Sequence, residues 1–286
     1  MIRTVIVLLL ASFFASCAPA NAAPVTVVDD SGARVTIARP PHRIVSVTPA
    51  TTEMLFAVGL EGRIAGGTTS DDYPPAARKI TRIGDWTPNY EKIVGVRPDL
   101  VVVDDVAEHA AAICLRSLHM PVLIIRPVTL SAVEADMRLI GKATGNFAQA
   151  GAAVRAMEVK LKAAALIAAA DHTHPRVLPL IGMNPLYVAG GGTFIDDAIA
   201  RAGGVNVTAA LHGYAQYSPE GVISGRPDAI LASAGDCRAL AQTPAFRAVP
   251  AVRRKWFITI DSNLLQRPGP RLADGVLALA KALHGR

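Results

Sequence analysis

Trp86, Tyr90, Tyr187, Tyr214, Tyr217 and Arg267 are the side chains of this sequence best suited to holding a ligand. Each ring stands close to Gly, Pro or Asn, which places it on a loop, and Arg267 lies between Gln266 and Pro268. Rings presented on loops grip a large, flat, partly apolar molecule by its faces, and a guanidinium fork takes a carboxylate or phosphate. For any single ring the plainer alternative is that it packs its own loop. Catalytic patterns are missing: there is no Gly-x-Ser-x-Gly elbow, phosphate-binding loop or His-Glu-x-x-His pair. Gly190, Gly191 and Gly192 ahead of Thr193 could hold an anion at a helix N-terminus, but without a phosphate-loop lysine a tight turn is the preferred reading. His172 and His174 follow a long Ala-rich stretch, where histidines complement a helix dipole more readily than they bind metal. No catalytic residue, metal ligand or resident cofactor is therefore assigned.

The elements that must position these residues show themselves through a repeat. Glu91, Arg97, Pro98 and Asp99 recur at the same spacing as Glu220, Arg226, Pro227 and Asp228, 129 residues later, each followed by an apolar run. Asn89 and Ser218 are suited to cap a short helix, with an acid in its first turn and, in the second copy, Pro219 at the first helical position. A residue before proline leaves the right-handed helical region, so each helix ends at Arg-Pro. The runs at 100–103 and 230–231 then read as strands buried on both faces of a parallel sheet.

Around the repeat, alternating strands and helices predict two α/β lobes with parallel sheets. A hairpin is expected over 25–37, and a helix carrying Met54, Leu55 and Val58 is expected to stop at Gly59. Residues 146–170, capped by Asn146 and rich in Ala, Leu, Lys and Arg, predict one stiff connecting helix between a lobe over 23–145 and a lobe over 171–286. Ligands of such sheets sit beyond the carboxyl ends of the strands, so the expected site is the cleft between the lobes. Glu91 and Glu220 would place one negative charge on each lobe, in first turns expected to face away from the cleft floor. There they could dock a partner with two basic pockets.

At 286 residues, with 51% hydrophobic and 5% aromatic residues, the chain suits two domains of helices packed on strands. Residues 1–22 read as a signal peptide, with Arg3, an apolar stretch over 5–14 and a small-x-small site at Ala20, Asn21 and Ala22. A competing reading makes Cys17 a lipidated first residue. Either way export is expected. Loss of Arg3 lowers the formal charge from +6 to +5, and the basic residues are dispersed, so nucleic acid is not an expected partner. Cys114 and Cys237 fall in different lobes and read as apolar thiols rather than a bridge.

Arg43 to Gly59, Asp72 to Ala77 and the two Arg-Pro-Asp strands resemble class III periplasmic substrate-binding proteins of ABC importers, over about Val25 to His284. The resemblance implies two Rossmann-like lobes joined by one long helix and a monomer that catalyses nothing. It also implies a metal chelate such as cobalamin, haem or a ferric siderophore bound between the lobes, and delivery to a membrane permease. Glu91 and Glu220 match the glutamates that dock onto permease arginines. The cobalamin-binding branch is the nearest. Trp86, Tyr187, Tyr214 and Arg267 fall at its ligand positions, Tyr214 replacing a tryptophan, while Ser70 replaces a tyrosine and Asn263 an aspartate. The haem branch implies Gly-Tyr where Asp85 and Trp86 stand, with Tyr73 or Tyr90 as substitutes. An exported enzyme using the same cleft is the reading from a different class.

Overall fold

The computed structural model describes residues 23–285 apart from Trp86; the leader, the Cys17 alternative and the placement of Trp86 lie outside the described residues. The chain opens with the expected hairpin, β1 (Val25–Val28) and β2 (Arg34–Ile37). The first lobe follows as β3 (Ile44–Ser46), α1 (Pro49–Ala57), β4 (Ile64–Gly66), α2 (Tyr90–Gly95), β5 (Leu100–Asp104), α3 (Asp105–Ser117), β6 (Val122–Ile125) and α4 (Leu130–Thr144). Its sheet, in the order β4-β3-β5-β6, is parallel throughout. Strand β5 is buried along its whole length. Leu100 and Val102 join the core on one face with Ile44 and Leu123, and Val101 and Val103 join the core on the other with Val45 and Ile124. That alternation explains a continuous apolar run in a strand covered on both sides.

Helix α5 (Phe147–Asp171) is 25 residues long, roughly 37 Å at the helical rise. Ala150, Val154 and Met157 are buried in the first lobe's core, and Ala164 is buried in the second's. One rigid element thus belongs to both cores. Gly145, at φ +77°, ends α4 in the left-handed conformation. Asn146 does not cap α5 with its side chain, contrary to expectation: its amide donates to the carbonyls of Val58 (3.0 Å) and Gly59 (3.1 Å), tying the start of α5 to the end of α1.

The second lobe contains β7 (Arg176–Met183), β8 (Leu186–Ala189), α6 (Phe194–Arg201), β9 (Val205–Asn206), β10 (Tyr214–Gln216), α7 (Pro219–Gly225), β11 (Ala229–Leu231), α8 (Ala234–Gln242), α9 (Pro250–Arg253), β12 (Phe257–Ile258), α10 (Ser262–Leu265) and α11 (Leu272–His284). Strands β7, β11 and β12 pair in parallel, as expected, and β9 adds in parallel to β7. The sheet departs from the all-parallel expectation at one edge, where β8 and β10 run antiparallel. The connection from β7 to β8 is too short for a helical crossover, so the chain turns back as a hairpin. Cys114 and Cys237 are free thiols. Among the described residues no helix is long and apolar enough to cross a membrane.

The repeated element is built the same way twice. Asn89 accepts from the Lys92 N–H and Ser218 from the Gly221 N–H, each at 2.9 Å, as the expected caps. Arg97 (φ +47°) and Arg226 (φ +43°) are both left-handed, the conformation that commonly closes a helix C-terminus, rather than the extended one that a following proline favours. Asp99 then accepts from the N–H groups of His42 and Arg43, at 2.8 Å each, and Asp228 accepts from that of Arg176 at 3.1 Å. The Arg43 guanidinium returns a bond to the Val96 carbonyl (2.8 Å), and that of Arg176 returns one to Gly225 (2.9 Å).

Candidate functional site

The carboxyl ends of β3, β4 and β5 open on a cavity of about 460 Å³. First-lobe residues Val47, Thr48, Ser70, Asp85, Asp104 and Glu108 line it, and Ser262, Asn263, Gln266 and Arg267 close it from the second lobe. A smaller recess of about 50 Å³ adjoins it at the strand ends of the second lobe, sharing Ser262 and Gln266.

A buried polar lattice fixes the first-lobe side. Asp71, 1% exposed, accepts from the hydroxyls of Thr52 (2.7 Å) and Thr68 (2.6 Å) and from the Thr68 N–H (2.9 Å). The Thr52 hydroxyl also lies 2.9 Å from that of Ser46. Strand β3, helix α1 and the polar stretch after β4 are thereby held to one another. Burial raises the Asp71 carboxyl above its ordinary range even though these hydrogen bonds favour its charge. Gly67 is required here, because a Cβ would come within 2.2 Å of the Asp71 carboxylate.

Ions cross between the lobes on the same side. Glu53, its side chain 1% exposed, accepts a two-pronged bond from Arg271 (2.6 and 2.8 Å) and a third from Arg267 at 3.2 Å. Arg267 also pairs with Asp72 at 2.5 Å, and this bond holds the Asp72 carboxyl below its usual range. The Arg271 guanidinium lies 3.8 Å above the ring of Tyr73, an electrostatic contact with the ring face.

Of the residues the sequence singled out, Ser70, Asn263 and Arg267 come together at this cavity, and Ser70 donates to Asp85 at 2.9 Å. Tyr187 and Tyr214 do not line it. They lie on strands β8 and β10, not on the expected loops, and share a face: Tyr214 pairs with Ala189 and Tyr187 with Gln216, so the rings are diagonal neighbours. Both are partly exposed, and Tyr214 meets Phe194 edge-on with centroids 6.4 Å apart. Tyr90 and Tyr217 are corrections of a different kind. Tyr90 is the first residue of α2 and packs on a first-lobe core, and the Tyr217 hydroxyl donates to the Gly221 carbonyl at 2.9 Å, beneath α7. The loop-packing alternative holds for both.

Sequence reasoning missed Asp85, Asp104 and Glu108. Asp104 ends a buried strand, 3% exposed, and its Oδ1 accepts from the N–H groups of Val106 (3.0 Å) and Ala107 (3.3 Å) at the start of α3. An acid at the carboxyl end of a buried strand was the available signal. Glu108 sits where α3 is kinked, which turns it toward the cavity it lines.

Glu91 and Glu220 are exposed in the first turns of α2 and α7, as expected. Their facing is corrected. The last turns of both helices bond the residues entering β3 and β7, at the amino edges of the sheets. Their first turns therefore point toward the strand carboxyl ends, the side of the cleft mouth. The triple glycine forms a tight crossing: the Gly190 and Gly191 N–H groups bond the carbonyls of Gly213 (2.7 Å) and Leu211 (2.6 Å), and Cβ atoms there would strike the backbone. His172 ends α5 in a left-handed conformation, and His174 bonds the Gly203 carbonyl. Among the described residues no group of three His, Cys, Asp or Glu side chains could hold a metal ion.

Comparison with known proteins places these features in company. Residues 44–264 match the family described as "Periplasmic binding protein". An uncharacterized ABC transporter substrate-binding lipoprotein of Bacillus subtilis, YvrC, is 30% identical over 91% of this chain and 86% of its own. A cobalamin-binding protein of Halobacterium salinarum is 29% identical over 91% of this chain and 74% of its own. The solved apo structure of the periplasmic heme-binding protein RhuT from Roseiflexus sp. RS-1 superposes with a TM-score of 0.75 at 30% identity, covering 85% of this chain and 98% of that one.

Proposed function

We propose a corrinoid, cobalamin or a close relative, as the cargo of this chain, which belongs to the periplasmic binding protein family and serves as the substrate-binding component of an ABC importer. It captures the corrinoid between its lobes and hands it to the membrane permease, without catalysis. The likeness to binding proteins rather than enzymes supports that role.

The observation that carries the choice of cargo is the donor set of the cavity. Among the described lining residues there is no Tyr, His, Cys or Met, there are three carboxylates, and the one cation, Arg267, is already engaged by Asp72 and Glu53. Haem brings two propionates and an iron that takes a nitrogen, sulfur or phenolate ligand from its protein. A corrinoid brings a fringe of carboxamides, which suits acceptors such as Asp85 and Asp104 and the amides of Asn263 and Gln266. The cavity holds an edge of the macrocycle, and Tyr187 and Tyr214 offer ring faces to the remainder. Haem is the second reading, favoured by the likeness to a heme-binding structure. Its substitute ligands are occupied: Tyr73 lies under Arg271, and Tyr90 packs on the core.

Glu91 and Glu220, one at the mouth side of each lobe, are the proposed permease contacts. The protein acts after export, in the periplasm, either free or anchored through Cys17. Purified protein mixed separately with cyanocobalamin, haemin and a ferric siderophore and passed over gel filtration tests the cargo. The corrinoid absorbance is expected to co-elute with the protein and the others to separate from it; haemin co-eluting alone would replace this reading by the second.

A further inference from the structure

The cavity is lopsided in charge. Its first-lobe wall presents Asp85, Asp104 and Glu108, whereas its second-lobe wall presents Ser262, Asn263, Gln266 and Arg267. Asp85 is engaged by Ser70. Asp104 and Glu108 stand differently. Asp104 is buried and spends Oδ1 on the start of α3, while its Oδ2 accepts no hydrogen bond among the described residues. Glu108, half-buried one helical turn further on, accepts none from either oxygen among them. A carboxylate oxygen open to a cavity and without a protein donor is an acceptor available to an N–H of the ligand.

We propose that Asp104 and Glu108 determine specificity by accepting N–H donors from a carboxamide-fringed macrocycle and excluding macrocycles fringed with carboxylates. This rests on the corrinoid reading and adds the selecting residues and the rule they apply. An ionised carboxylate accepts hydrogen bonds and donates none, so a ligand amide meets it as a complement and a ligand carboxylate meets it as a like charge. The like charge finds little relief, because Arg267 across the cavity is neutralised by Asp72 and Glu53. The two acids also feel each other. Burial lifts the Asp104 carboxyl to about 6, and burial together with neighbouring Asp104 raises Glu108. A third carboxylate beside them would add to the same repulsion.

The test compares two corrinoids with one ring: dicyanocobinamide, which keeps the carboxamides, and dicyanocobyrinic acid, which has carboxylates in their place. Binding at pH 7.5 is followed by quenching of protein fluorescence for the wild-type protein, Glu108→Gln and the double variant Asp104→Asn/Glu108→Gln. Asparagine caps a helix as aspartate does, and a thermal melt of each variant checks the fold. The wild-type protein is expected to favour the amide corrinoid by about a hundredfold or more. Glu108→Gln should narrow that ratio, and the double variant should narrow it by about tenfold or more, chiefly by tightening the carboxylate form. Equal binding of the two corrinoids by the wild-type protein, or a ratio unchanged in folded variants, would overturn the inference while leaving the corrinoid reading intact. Binding of neither corrinoid would remove the corrinoid reading and this inference with it.

Discussion

The two lobes are alike at one edge of their sheets and unlike at the other. At the amino edges, Asp99 with Arg43 and Asp228 with Arg176 repeat one hydrogen-bond pattern nearly atom for atom. At the carboxyl edges the first lobe ends in buried acids and a threonine–aspartate lattice, whereas the second ends in an apolar recess lined by Leu180, Ile181, Leu231 and Ile260 beside an aromatic hairpin. Holding a helix to a strand is the same task in both lobes, so the amino edges stay alike. In the proposed reading the carboxyl edges face one asymmetric ligand from two sides, and each is shaped to its own part of it.

The largest effect is expected where the unlike edges meet. Glu53→Ala removes the carboxylate partner of Arg271 and one of the two partners of Arg267, both of which are mostly buried. Breaking such a pair from one side costs about 3 kcal/mol or more, read as a lowered urea midpoint. A loss below about 1 kcal/mol would mean that water already screens this cross-lobe contact.

The like edges provide the next test. Asp99→Ala forfeits bonds from two backbone N–H groups, and Asp228→Ala forfeits one such bond and a contact with Arg254. Each should cost about 1–2 kcal/mol, with Asp99 the greater, and neither should alter corrinoid affinity. Affinity lost in either variant would break the division between a structural edge and a binding edge.

An effect that varies with pH separates the lobes further. Asp136 on α4 is buried, and burial with nearby Asp30 lifts its carboxyl to about 9. Its folded value lies above its unfolded one, so the native state favours the protonated form. Its contribution is complete below about pH 4 and is lost as pH rises toward 9, at no more than about 1.4 kcal/mol per pH unit. Asp136→Asn should therefore gain stability relative to the wild-type protein across that range, and a pH-independent difference in denaturation midpoints would contradict it.

Much of this was legible in the sequence, and the reasons differ by residue. The repeated Glu and Arg-Pro-Asp spacing identified α2–β5 and α7–β11 because caps, proline and a two-faced apolar run are local signals. Arg267 was found from its loop and again through resemblance, Ser70 and Asn263 through resemblance alone, and the structure gathers all three at one cavity. Tyr90 and Tyr217 were misread because proximity to Asn, Pro or Gly does not tell which way a ring turns; both turn inward. Asp104 was passed over because its acid also serves as a helix cap, and only tertiary structure shows its second oxygen left over. Glu53 stood inside the resembling stretch, yet its partners lie more than 200 residues away, a separation that no local pattern spans.

The smallest effect on the fold belongs to Glu91 and Glu220. Each Glu→Ala change should cost a few tenths of a kcal/mol through the helix dipole. The double Glu→Lys variant should keep its corrinoid affinity and lose uptake in cells, since like charges would then meet across the docking surface. Surviving uptake, or joint loss of affinity and uptake, would return the pair to simple helix-end acids.

The central claim is that the unlike carboxyl edges close on one corrinoid. A crystal structure of the protein grown with equimolar cyanocobalamin and haemin tests it most directly. The corrinoid is expected between the lobes, with its carboxamides against Asp104 and Glu108 on one side and Asn263 and Gln266 on the other. Haemin in that place, its iron held by a side chain, would contradict the account.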